Sequence, residues 1–217
     1  MRNLLKSLVV ILSAAIVTTT GVNAAVITTF EDIDGDGQGP TFADQVVLEI
    51  IDNGGIVGFQ ITNNTGGIFG IIEQVNFDDS ALDLLGALDS LVQTNNVDFS
   101  EDLANLPQGN NVGFDSTDGF QSNPPAAGAN ANGIQPGDSL TINFALNGGA
   151  TFDDVVAALI SGELRLGIHV IAFADGSSDA LVSAPPPSEV PVPAAFWVMG
   201  VGLAGGLRYL KRRKIAA

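Results

Sequence analysis

The stretch Glu31-Asp32-Ile33-Asp34-Gly35-Asp36-Gly37 sets carboxylates at alternate positions and closes on glycine. Carboxylates converging on one point are what a hard cation such as calcium takes as ligands, and this spacing matches the first half of a calcium loop. An EF-hand needs a bidentate Glu at its twelfth position; counting from Asp32, that position is Ala43, and Pro40 interrupts the run. A calcium site here has to be completed from elsewhere, and Asp32, Asp34 and Asp36 with Asp44 are the candidate ligands. The other reading of the same residues is a solvated acidic turn.

His169 is the single histidine and there is no cysteine. A His-based metal centre therefore cannot be assembled, and a Ser-His-Asp triad would rest on this one residue. On a strand His169 lies opposite Leu164, Leu166, Ile168 and Val170, which points to a cross-strand hydrogen bond, or to packing of Arg165 against an acid. Asp78-Asp79 and Asp153-Asp154 are adjacent pairs, which point apart on a strand and lie about 100° apart on a helix. Neither is a general acid/base couple, nothing selects two acids as glycosidase carboxylates, and no catalytic residue is predicted. Asn63-Asn64-Thr65 fits a glycan-acceptor pattern and is read as a turn.

The elements that must hold these residues are mostly strands. Alternating or continuous apolar runs predict strands at Val26–Phe30, Val46–Ile51, Ile56–Thr62, Ile68–Phe77, Leu140–Leu146, Leu164–Phe173 and Ala180–Val182. The breaks Asp52-Asn53-Gly54-Gly55 and Asn63-Asn64-Thr65-Gly66-Gly67 are hairpin cues, because their residues accept positive φ. A helix is predicted at Thr151–Ile160, with Thr151 as cap, Asp153 and Asp154 in the first turn and Gly162 as stop. The leucines of Ser80–Val92 predict a second helix, though they could also serve a strand pair. Gln108–Gln135 is expected to be a long loop. The fold class is mainly β: a jelly-roll-like β-sandwich with one or two short helices at its edges. No internal repeat is evident.

Charge is distributed unevenly. Of eight basic residues two lie in the first 24 positions and five in the last ten, leaving Arg165 alone in residues 25–187 against 23 acids, a formal charge of −22. Such a surface excludes nucleic acid and repels anionic lipid and acidic polysaccharide unless cations intervene. The body is too apolar for a disordered acidic tail. It contains no Lys, Trp, Tyr or Met and 11 of the 12 Phe, so its core is Val, Ile, Leu and Phe without a disulfide staple. The missing Trp and Tyr also weigh against a lectin-type stacking platform.

The ends read as addresses. Arg2 and Lys6 precede a short apolar core, and small residues follow up to Ala24; residues 1–24 are a secretory signal, cut by signal peptidase after Ala24. Residues 25–183 form the exported domain and 184–189, Ala-Pro-Pro-Pro-Ser-Glu, a stiff spacer. An uncharged, glycine-rich run then leads to Arg208, Lys211, Arg212, Arg213 and Lys214. It predicts a transmembrane helix over about 193–210, short and marginal, with the basic tail at 208–214 held in the cytoplasm.

Residues 190–217 resemble the PEP-CTERM sorting signal of Gram-negative bacteria. The motif Val190-Pro191-Val192-Pro193-Ala194-Ala195 is similar to that family's VP-x-PAA variant; the name-giving Pro-Glu-Pro is here Pro191-Val192-Pro193, with an acid only upstream at Glu189. The resemblance implies cleavage at the proline motif by exosortase, transient residence in the inner membrane, and release or re-attachment at the cell surface. It also implies association with exopolysaccharide and biofilm. Residues from Leu106-Pro107 to Ser178-Asp179, including Pro136-Gly137-Asp138-Ser139-Leu140 and Leu164-Arg165-Leu166-Gly167-Ile168-His169-Val170, resemble ectodomains that recur ahead of this tail. That likeness implies a shared sandwich-like fold and no assigned activity. The expectation is a non-enzymatic exported surface or matrix protein; the alternative is a calcium-dependent module bridging to acidic polysaccharide.

Overall fold

The computed structural model describes residues 24–27, 30–35, 37–123 and 132–184. In chain order the strands are β1 (Ala24–Ile27), β2 (Phe30–Asp32), β3 (Val46–Asp52), β4 (Ile56–Asn63), β5 (Ile71–Asp78), β6 (Leu85–Gln93), β7 (Phe99–Glu101), β8 (Asp118–Ser122), β9 (Ser139–Leu146), β10 (Arg165–Ile171) and β11 (Asp179–Ser183). Helix α1 spans Gly39–Ala43 and α2 spans Phe152–Ser161. The strands form two sheets, ordered β1-β3-β4-β9-β6 and β2-β11-β10-β5-β8-β7, with every pairing antiparallel.

The sheets face each other because alternate residues of each strand are apolar. In the first sheet the register sets Ile61 beside Leu140, Phe59 beside Ile142 and Val57 beside Phe144, and all six are buried. Phe59 and Phe144 meet Phe77 of the second sheet edge-on, with ring centroids 4.9 and 5.0 Å apart, and Phe120 closes the group. Edge-to-face geometry sets each ring's positive rim against a neighbour's negative face. With neither Trp nor Tyr to help, this phenylalanine cluster is the centre of the core.

The β3–β4 hairpin turns at Gly54 and Gly55, with φ of 73° and 97°; two successive positive values are the tight turn that matches strand twist. Helix α2 starts in a capping box. The Asp154 N–H donates to Thr151 Oγ1, and the Thr151 N–H donates back to Asp154 Oδ2 at 2.8 Å. Gly162 stops it in the left-handed region.

Three expectations are corrected. Val26–Phe30 is not one strand: β1 joins one sheet and β2 the other. Ser80–Val92 is not a helix but contains β6. Its leucines recur at intervals of three, yet Leu85 is registered with Leu146, Leu88 with Phe144 and Leu91 with Ile142, through two irregularities flanking Leu88. Each inserts an extra residue and returns the next leucine to the same face. The third correction is Gln108–Gln135, which holds a 3-10 turn at Gly109–Val112 and strand β8; β7 was not expected at all.

Residues 102–117 lie as a layer on the outer face of the second sheet. Leu106 and Phe114 pack with Ala180, Val182 and Ile33. The side chains of Gln74 and Asn76 donate to the Ala104 carbonyl at 3.0 and 2.6 Å. Gly119 permits the approach, since a Cβ there would stand 2.6 Å from the Asp102 carbonyl. The signal segment before Ala24, Asp36, the spacer after Ala184, the sorting motif and the predicted transmembrane run lie outside the described residues. Among the described residues no helix is long and apolar enough to cross a membrane.

Candidate cation site between the first and last strands of the second sheet

Asp32 ends β2 and is registered with Leu181 of β11. Leu181 faces the core, so Asp32 and Asp179, two residues before Leu181, share the inward side of this edge pair. The chain after β2 doubles back through Gly37 into α1 and lays its backbone over both carboxylates. Asp179 Oδ2 accepts the Gln38 and Gly39 N–H groups at 3.1 and 2.7 Å. A Cβ on Gly39 would stand 2.7 Å from Asp32 Oδ2 and 3.1 Å from Asp179 Oδ2, so only glycine fits between them. Asp34 completes the group: one oxygen from each of Asp32, Asp34 and Asp179 lies within 4.8 Å of the others.

The electrostatics are strained. Asp32 Oδ1 accepts the Asp34 N–H, whereas its Oδ2 is shut off from water and has no hydrogen-bond partner. Burial pushes the Asp32 carboxyl up to about 6, and Asp179 and Asp34 add to the rise against the pull of the Asp34 N–H. Three acceptor-only groups held this closely fit a hard, oxygen-seeking cation. In a cation's absence a proton on Asp32 relieves the same repulsion.

Two of these three carboxylates, Asp32 and Asp34, are among the candidate ligands read from the sequence. Asp44 follows α1, exposed and outside the group. Asp179 was not among the candidate ligands: its distance of 147 positions from Asp32 hid their meeting. The local signal was an acid opening a strand that is otherwise wholly buried.

His169 and the acids Glu73, Asp78 and Asp79 are engaged in structure. His169 Nδ1 lies 2.9 Å from Glu73 Oε1; Glu73 is the extra residue where the β5–β10 register shifts. Burial holds the His169 pKa below its ordinary value, against the pull of Glu73 and Asp179. Arg165 pairs with Asp78, donates to the Val112 and Gly113 carbonyls and stacks on Phe114, so it clamps the outer layer. Burial pushes the Asp78 carboxyl up, but hydrogen bonds from Ser80, Arg165 and Asp115 outweigh it and hold the group below its ordinary value. Asp79 faces elsewhere and accepts the Leu85 N–H at 2.7 Å. Asn63 is fully buried, accepting from Gln45 and donating to the Gly70 and Ile134 carbonyls, which suits a turn anchor and leaves no room for a glycan. No family model matches the chain, and no curated protein or solved structure matches it.

Proposed function

We propose that this chain is a non-enzymatic exported protein of a bacterial cell surface or extracellular matrix. Its jelly-roll-like sandwich is delivered by the N-terminal signal, held briefly in the inner membrane by residues 193–210, and processed by exosortase at Val190–Ala195. The observation that carries this reading is the order of segments along the sequence: basic-led signal, acidic β body, proline spacer, apolar run, basic stop. The extent of the sandwich supports it, since its strands run from Ala24 to Ser183. A cut after Ala24 removes one residue pair of β1 and keeps three, Ala25 with Ile50, Val26 with Glu49 and Ile27 with Leu48. The test is the intact mass of the protein from the native cell surface. The expected species starts at Ala25 and ends between Pro191 and Pro193; a surface form still carrying Arg208–Lys214 overturns the reading.

A second activity is favoured by the cluster of Asp32, Asp34 and Asp179. Held there, calcium bridges this acidic body to an acidic polysaccharide that would otherwise be repelled. Calorimetric titration of the full chain with calcium tests it. Binding heat with a raised melting temperature is expected, and the absence of both removes calcium from the account.

A further inference from the structure

A sheet ends in strands whose outer N–H and C=O groups lack a ladder partner, and such an edge is a template for another chain. Three of the four edges here are blunted by length: β1 has four residues, β2 and β7 three each. Strand β6 is the fourth edge and runs for nine residues. Lysine or proline would guard such an edge, but residues 25–187 hold no lysine and β6 no proline. Its two irregularities flank Leu88, so Ser90–Gln93 keep regular register with β9. Asp89 is the strand's single charge. The Thr94 N–H donates to the Ser139 carbonyl at 3.2 Å; by alternation Thr94, Val92 and Ser90 turn their main-chain groups toward β9, and Leu91 and Gln93 turn theirs to the open edge. Val92 lies beside Thr141 on the outer face and is 58% exposed, while Leu88 and Leu91 are only half-buried.

We propose that β6 pairs with β6 of a second copy of this chain across a two-fold axis at Val92, joining the two five-stranded sheets edge to edge. Leu91 of each copy exchanges main-chain hydrogen bonds with Gln93 of the other, and the two Val92 side chains meet in the close, non-hydrogen-bonded pair. Ser90 comes opposite Thr94. Charge favours this register: the two Asp89 carboxylates stand six residue steps apart, about 20 Å, well beyond the screening length of about 8 Å at physiological salt. An axis at Leu91 brings those carboxylates closer and sets Val92 against Ser90. An axis at Gln93 makes Leu91 pair with Asn95, a turn residue with φ of 47°. A body of formal charge −22 can meet itself only where acids are sparse, and the strands of the first sheet carry just Glu49, Asp52 and Asp89. The shared edge is about 17 Å long, small for a dimer, so the association is weak and reversible, with a Kd of about 100 µM.

The chain has no cysteine, so position-specific cross-linking of the full chain tests the pairing. Under mild oxidation Val92→Cys should form a covalent dimer, because Cα atoms about 4.5 Å apart suit a disulfide. Ser90→Cys, about 14 Å along the strand from its counterpart, should give about tenfold less. Sedimentation velocity of the native sequence should show dimer increasing with protein concentration and with sodium chloride, since salt screens the repulsion between two acidic bodies. Val92→Lys sets two ammonium groups across the axis and should leave a monomer; its melting temperature should be unchanged, as Val92 faces solvent. No more cross-linking from Val92→Cys than from Ser90→Cys overturns the pairing. So does undiminished dimer in Val92→Lys, or a native chain that stays monomeric at every concentration and salt. None of these outcomes bears on the sorting or the calcium reading, which stand or fall by their own tests.

Discussion

Asp32 shows how one residue's chemistry sets a whole-chain property. Its carboxyl titrates at about 6 in the fold against 3.8 unfolded, so between those values the folded chain holds a proton that the unfolded chain has lost. The stability this contributes is complete below about 3.8 and is lost as pH rises through about 6. In metal-free buffer Asp32→Asn should therefore stabilise at pH 7, by no more than about 1 kcal/mol once solvent screening is allowed for, and be neutral below the unfolded value. The amide could also donate to Asp179. Urea unfolding at the two pH values checks this, and a less stable variant at pH 7 would refute the strain. Asp78 runs the other way: its folded pKa is lowered, so its contribution is present at neutral pH and disappears in acid. Breaking its pair by Arg165→Ala leaves a largely buried carboxylate without its cation, and a loss of about 3 kcal/mol is expected. Arg165→Met with Asp78→Asn should cost clearly less than the two single changes together, read from chemical denaturation of all four proteins.

At the scale of elements, the hairpin and the helix were legible because their signals are local. Asn53-Gly54-Gly55 specifies a two-residue turn wherever it stands, and Gly55→Val, a branched side chain at φ 97°, should cost about 1–2 kcal/mol. Thr151→Ala should cost about 1 kcal/mol by removing the cap of α2; a thermal melt of each variant suffices. Strand β6 was not legible, and the reason is physical. Period three on a bulged strand and period 3.6 on a helix both bring Leu85, Leu88 and Leu91 to one side, and only the register with β9 separates them. The layer at 102–117 was missed for a related reason: its glycines, its asparagines and Pro107 are loop residues, and its order comes from sheet side chains such as Gln74 and Asn76 that reach up to its backbone. The candidate site fell between these cases. Asp32 and Asp34 announced themselves through spacing, while Asp179 depended on the pairing of the sheet's first strand with its last, which no local window contains.

On the scale of the whole molecule, the core and the charge pull in opposite directions. Phe77 touches Phe59, Phe120 and Phe144, so Phe77→Ala should cost about 3–5 kcal/mol, a large part of the stability of an ordinary domain. Around this core sits a body of formal charge −22, and the acids favour one side. The strands of the second sheet carry Glu31, Asp32, Glu73, Asp78, Glu101, Asp118 and Asp179, whereas those of the first carry Glu49, Asp52 and Asp89. Self-repulsion of this kind is screened by salt, so the folded body is expected to be more stable at high ionic strength than in dilute buffer. Tryptophan and tyrosine divide along the same boundary as charge, and that division would make the proposed processing directly visible. Trp197 and Tyr209 are the only tryptophan and tyrosine, and both follow the proline motif. A cut at Pro191–Pro193 therefore removes every strong near-ultraviolet chromophore together with the basic stop, leaving phenylalanine alone. The surface form should be detected by peptide-bond absorbance and mass while lacking tryptophan fluorescence, and the membrane-bound precursor should fluoresce. Replacing Pro191 and Pro193 with alanine should retain the fluorescence in the membrane fraction. Equal fluorescence per mole of protein in the surface and membrane forms would mean that the tail is never removed.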